Sequence, residues 1–128
     1  MTNGFSVAAA LLGAAAVVLG AFGQHALAGE VTPERLATWA TSVQYHSMHV
    51  LVLLAASLNS RQISARWLQR SCWCFVFGIA IFSGSLYLLV VTDTPVLGAI
   101  TPIGGVLLIL GWISLAVGLA RVDNEPAP

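Results

Sequence analysis

The residues best suited to chemistry lie in the stretch Thr38-Trp39-Ala40-Thr41-Ser42-Val43-Gln44-Tyr45-His46-Ser47-Met48-His49. Thr38, Ser42, Tyr45 or His46, and His49 follow at intervals of three or four, so they share one face of an α-helix. The histidines offer the widest choice of roles. A neutral imidazole ligates copper, zinc or iron, relays a proton, or donates and accepts hydrogen bonds at once. Metal ligation by two imidazoles three apart needs carboxylate or thiolate help, and no acidic residue accompanies them inside the apolar runs. His25, the third imidazole, falls about 5–10 Å outward of His46 on ideal helices. Serines and histidines also suggest nucleophilic catalysis, but no acid stands inside the runs to orient a base. Cys72 and Cys74 are two apart, point to different helix faces, and read as reduced packing residues. No catalytic residue, metal site or cofactor is expected, and the chain reads as a non-enzyme.

The elements that position these groups follow from composition. Of 128 residues, 58% are hydrophobic and 8% charged, there is no lysine, and mean hydropathy is +0.89. A soluble domain carries about 25% charge, so this chain cannot coat a water-facing surface. A soluble enzyme domain, a nucleic-acid binder with a basic face and a disulfide-stapled module are excluded. Four apolar runs of about 20 residues fit the length, near residues 5–27, 34–58, 71–92 and 102–120. Thr32 and Pro33 cap and open the second helix and Thr101 and Pro102 the fourth, while Asp93-Thr94-Pro95 ends the third. Asn59 to Arg70 reads as a polar connection. The fold class is therefore all-α, an integral membrane four-helix bundle. Residues 1–120 form one transmembrane domain and 121–128 a short polar cytoplasmic tail. The first run is too long for a signal-peptide core and no basic residue precedes it, so no cleaved leader is expected.

Arg61, Arg66, Arg70 and Arg121 fall on one side and Arg35 on the other, which places both termini in the cytoplasm. Trp67 and Trp73 then mark the inner interface and Trp39 the outer one. Trp112 falls in the middle of its run and fits neither. Lipid gives helices no hydrophobic reason to associate, so small residues must bring them together, and Gly13, Gly20, Gly23, Gly84, Gly104, Gly111 and Gly118 are the candidate packing positions. The last three recur every seven residues, as one seam on the fourth helix requires.

Polar groups at membrane depth must find partners inside the bundle. The stripe of the second helix is expected to face inward and meet Ser83, Ser85 and Tyr87 of the third. The full candidate polar cluster comprises Gln24, His25, Ser42, Gln44, Tyr45, His46, His49, Ser83, Ser85, Tyr87 and Thr101. His25, near the outer end of the first helix, is expected to tie the outer loops together by bonding a loop carbonyl, Tyr45 or Thr101. Two readings compete for the cluster: hydrogen-bonding glue between helices, or a path for protons or a small polar ligand.

The same residues carry a resemblance. Gly20-Ala-Phe-Gly-Gln-His25-Ala-Leu, Trp39 through Gln44-Tyr45-His46 and His49, Ser83-Gly84-Ser85-Leu-Tyr87, and Gly98-Ala-Ile-Thr101-Pro102-Ile-Gly104-Gly105 with Gly111-Trp112 resemble the uncharacterised small membrane protein family that includes bacterial YgdD and animal transmembrane protein 256. The match runs from about Phe5 to Ala120. It implies a four-helix, multi-pass protein of the bacterial inner membrane with no established activity. His25 and His49 stand where the family pattern has histidine, and His46 where many relatives carry glutamine, which weakens a ligand role for His46. The expected function is a structural or accessory subunit of a larger membrane complex, with a transport component as the alternative. Its partners would be the lipid bilayer and other membrane subunits or a second copy, not nucleic acid.

Overall fold

The computed structural model describes residues 2–121, and among them four long helices run alternately up and down: α1 Thr2–Phe22, α2 Pro33–Leu58, α3 Ala65–Thr92 and α4 Thr101–Ala120. A π-helical turn, Gly23–Leu27, prolongs α1, and 3-10 turns at Ser60–Gln62 and Pro95–Ala99 lead into α3 and α4. No strand occurs among the described residues. The molecule is a helical membrane bundle. Three stretches, Asn3–Leu27, Ala65–Thr92 and Pro95–Ala120, are long and apolar enough to cross a bilayer by length and composition. The polar residues between Thr38 and His49 keep α2 out of that set, although its 26 residues reach about 39 Å, more than a hydrocarbon core of about 30 Å. Residues 122–128, most of the expected polar tail, lie outside the described residues.

Helix starts obey local chemistry at α2 and depart from expectation elsewhere. Thr32 Oγ1 accepts a hydrogen bond from the Arg35 N–H at 3.3 Å, and Pro33 opens the helix. α3 begins at Ala65, six residues before the expected Ser71. Arg66, Leu68, Gln69 and Arg70 are good helix formers, Leu68 is buried, and the Arg70 guanidinium lies 4.9 Å from the Trp67 ring centre. The arginines thus belong to the helix itself. Thr101 does not cap α4; its hydroxyl is 2.7 Å from that of Ser85 on α3. At the end of α3, Asp93 takes the left-handed conformation (φ 48°) and accepts from the Arg35 guanidinium at 2.9 Å, joining the two helix ends.

The tightest seam joins α3 to α4. A Cβ on Gly104 would fall 2.7 Å from the Phe82 Cα, one on Gly111 2.8 Å from the Phe75 ring, and one on Gly118 2.7 Å from Ile63 and 3.0 Å from Trp67. The seven-residue repeat is therefore a single contact line. Gly78 of α3, which the glycine spacing does not single out, answers it by admitting Leu108, 2.6 Å from where a Cβ would be. A Cβ on Gly13 or Gly20 of α1 would make only ordinary contact, 3.5 Å from Val50 and Val43 of α2. Gly84 is not a packing position, because nothing lies within 4 Å of where its Cβ would be. Ala80 and Gly84 share a spacing with true seams, but the spacing does not say which face meets a neighbour.

Candidate functional site

The inward face of α2 carries Trp39, Ser42, His46, His49 and Leu53, all buried. Thr38 is not among them: its hydroxyl donates to the Glu34 carbonyl of its own helix at 3.0 Å. Trp39 takes its place, since the helix turns a large ring inward there and the indole N–H donates to the Leu19 carbonyl of α1 at 2.8 Å. Gly23 makes that possible, because a Cβ would lie 2.7 Å from the indole nitrogen. Trp39 is therefore a buried link between helices, not an outer interface anchor.

Ser42 and Ser83 form a reciprocal pair. The Ser42 hydroxyl donates to the Ser83 carbonyl at 2.8 Å, and the Ser83 hydroxyl donates to the Ser42 carbonyl at 2.9 Å. One helical turn further along, His46 Nδ1 is 2.9 Å from the Tyr87 hydroxyl. His46 Nε2 is buried with no hydrogen-bond partner among the described residues.

His49 is fully engaged. A carbonyl only accepts, so Nδ1 must carry the proton that it donates to the Tyr45 carbonyl at 2.7 Å. An indole N–H only donates, so Nε2 accepts from Trp112 at 3.1 Å. The ring's single proton and its lone pair are both used. A metal ion or an incoming proton at Nε2 would have to displace Trp112. That bond also accounts for a tryptophan in mid-membrane: its N–H is satisfied inside while the ring stays half exposed.

The rest of the expected cluster does not join this network. Gln24, His25 and Gln44 are exposed, Gln24 and Gln44 along one groove between α1 and α2, and Tyr45 is 38% exposed, hydrogen-bonded into the network through its carbonyl while its ring stacks on His49 and lies against Phe82. His25 makes no hydrogen bond among the described residues, so it does not tie together the loops at its end of the bundle; there Arg35 of α2 bonds Asp93 at the end of α3. The π turn rotates the end of α1 so that Gly23 and Leu27 face inward and Gln24 to Ala26 face out. Ser85 and Thr101 pair with each other in the α3 and α4 seam. Two links were missed altogether: the Ser6 and Ser57 hydroxyls, 2.9 Å apart between α1 and α2, and Ser71, whose hydroxyl donates to the Gly111 carbonyl at 2.9 Å. Small serines in long apolar runs were their only signal.

The fold and this interior define a small helical membrane protein whose polar groups bind its own helices to one another. The sequence pattern described as protein of unknown function (DUF423) matches residues 19–105, and the chain belongs to that family. Curated relatives carry the name UPF0382 membrane protein. One from Staphylococcus saprophyticus is 41% identical over 120 residues, covering 92% of this chain and 98% of the relative. YwdK of Bacillus subtilis is 41% identical over 118 residues, covering 91% and 96%. A Haemophilus influenzae relative is 40% identical over 119 residues, covering 92% and 94%. No solved structure matches.

Proposed function

We propose that this protein is a non-enzymatic structural or accessory subunit of a larger complex in the bacterial inner membrane, with all four helices spanning and both termini cytoplasmic. We also place it with the group that includes YgdD and animal transmembrane protein 256. The observation that carries the subunit reading is the outward face of α2. Thr41, Gln44, Tyr45 and Met48 are exposed there, and α2 lacks the apolarity of the other three helices. Gln44 makes no hydrogen bond among the described residues, and at about 16 Å from the start of α2 it stands well inside the hydrocarbon layer. An exposed amide at that depth calls for a protein neighbour. The inner polar groups, His49 above all, act as glue. A photo-crosslinker at position 44, compared with one at the lipid-facing Val17, tests the reading in native membranes. Position 44 should give adducts with protein and position 17 with lipid; lipid adducts alone at both positions would overturn it.

The unpartnered Nε2 of His46 favours a second reading, a component of a proton or small-molecule path. Reconstituted vesicles loaded with a pH dye test it. A proton leak that His46→Gln abolishes would support this reading, and vesicles as tight as protein-free ones would reject it.

A further inference from the structure

A groove of about 380 Å³ opens between α1 and α3 at the arginine-rich end of the bundle, lined by Gly4, Phe5 and Ala8 on one side and Gln69, Trp73 and Val76 on the other. The volume falls within the roughly 300–1,000 Å³ usual for ligand sites. Its walls are apolar apart from Gln69. Phe5 and Trp73 meet edge to face across it, with ring centres 5.3 Å apart. Gly4 has nothing within 4 Å of where its Cβ would be, so the groove is open along α1.

The charge around its mouth is of one sign. Arg66 stands three residues before Gln69 and Arg70 three before Trp73, so both lie on the face of α3 that forms the wall, one turn nearer the membrane surface. Both are exposed. The first turn of α1 adds the positive end of its helix dipole. Among the described residues this end of the bundle holds Arg61, Arg66, Arg70 and Arg121 and no carboxylate; the acids Glu30, Glu34 and Asp93 are all at the opposite end. Asp123 and Glu125 lie outside the described residues.

We propose that this groove is a binding site for one anionic phospholipid of the adjoining leaflet, with an acyl chain between α1 and α3 and its phosphate at Arg66 and Arg70. The match is between an apolar slot continuous with the hydrocarbon layer and a cationic rim at headgroup level. A zwitterionic lipid satisfies the slot but not the rim. The site is separate from the α2 face and does not depend on the subunit reading.

Native mass spectrometry of the full chain in mild detergent tests the proposal, with titration by phosphatidylglycerol or by phosphatidylcholine of the same acyl chains. Arginine near a membrane surface favours an anionic lipid by roughly fivefold per residue, so phosphatidylglycerol should be retained at least that much better. The double variant Arg66→Gln, Arg70→Gln should bring the two lipids to parity. Gly4→Leu should lower retention of both, because its Cβ has open room and the rest of the side chain extends along the slot; if that variant does not fold, Ala8→Leu one turn further in serves instead. Equal retention of the two lipids by the unaltered protein, or full retention by the filled-groove variant, would overturn the proposal. Displacement of phosphatidylglycerol by glycerol phosphate would also overturn it, since the anion alone would then be recognised. So would a dimer that Gly4→Leu dissociates, which would make a second copy the occupant.

Discussion

Gly104→Ala tests whether the close approach of α3 and α4 holds the bundle together. The added methyl would lie 2.7 Å from the Phe82 Cα and 2.8 Å from its Cβ, where ordinary contact begins near 3.4 Å. Backbone cannot swing aside as a side chain would, so the helices must separate by about 1 Å. Overpacking of this kind costs about 1–3 kcal/mol. The Ser85 to Thr101 bond on the same seam, 2.7 Å long, would stretch beyond bonding reach, and an interhelical hydrogen bond in a membrane averages about 0.6 kcal/mol. Alanine's better helix propensity offsets up to about 1 kcal/mol, so the expected loss is about 1–3 kcal/mol. Gly84→Ala is the matched control: its Cβ meets nothing, and alanine's better helix propensity offers up to about 1 kcal/mol of gain. Both variants are compared by titrating denaturing into mild detergent and following tryptophan fluorescence and helicity. A Gly84→Ala loss equal to that of Gly104→Ala, or no loss at Gly104, would refute the reasoning.

Three further outcomes are expected. Nitrogen NMR of labelled histidine should show His49 protonated at Nδ1 in the unaltered protein, and Trp112→Phe should keep that tautomer, which the Tyr45 carbonyl fixes, while shifting the Nε2 signal and lowering stability by about 0.6–1.7 kcal/mol. Ser42→Ala and Ser83→Ala should each cost less than about 1 kcal/mol in the same unfolding titration; each change leaves one bond of the pair, and the double variant, which removes both, should cost at least as much as their sum. His25→Gln and His25→Leu should both fall within about 0.5 kcal/mol of the unaltered protein, because the side chain is exposed and unbonded; a clear loss in either would show that the end of α1 is packed differently.

The helix count, the inward turn of Ser42, His46 and His49, and the seven-residue glycine seam of α4 could all be read from periodicity. Each depends only on spacing along one helix. Features that depend on two helices could not be read that way. Trp112 and His49 are 63 residues apart, and nothing local says that an indole and an imidazole meet. Gly84 and Gly104 look alike in sequence and differ entirely in what faces them. The π turn after Phe22 rotates Gln24 and His25 outward by shifting the backbone register, which side-chain spacing does not record. The arginines before Ser71 read as connection by charge alone, whereas α3 starts at Ala65 because Trp67 and Leu68 make that turn part of the packed bundle.

The Ser42 and Ser83 pair joins the two hairpins of the chain, α1 with α2 and α3 with α4, whereas the seam within the second hairpin adds to its own Ser71 and Ser85 bonds a line of glycines closed against large side chains. Glycine against phenylalanine is contact between surfaces, and water has little to offer in exchange. Hydroxyl against carbonyl is contact that water can replace. In hydrocarbon no competitor exists, so the junction between hairpins is as durable as the bilayer is dry. Where water enters, in a loose micelle or a thinned membrane, the molecule should part along that line first, into two intact hairpins. Its cohesion is thus set partly by its solvent, and the same sequence is a firmer object in a dry bilayer than in a wet detergent micelle.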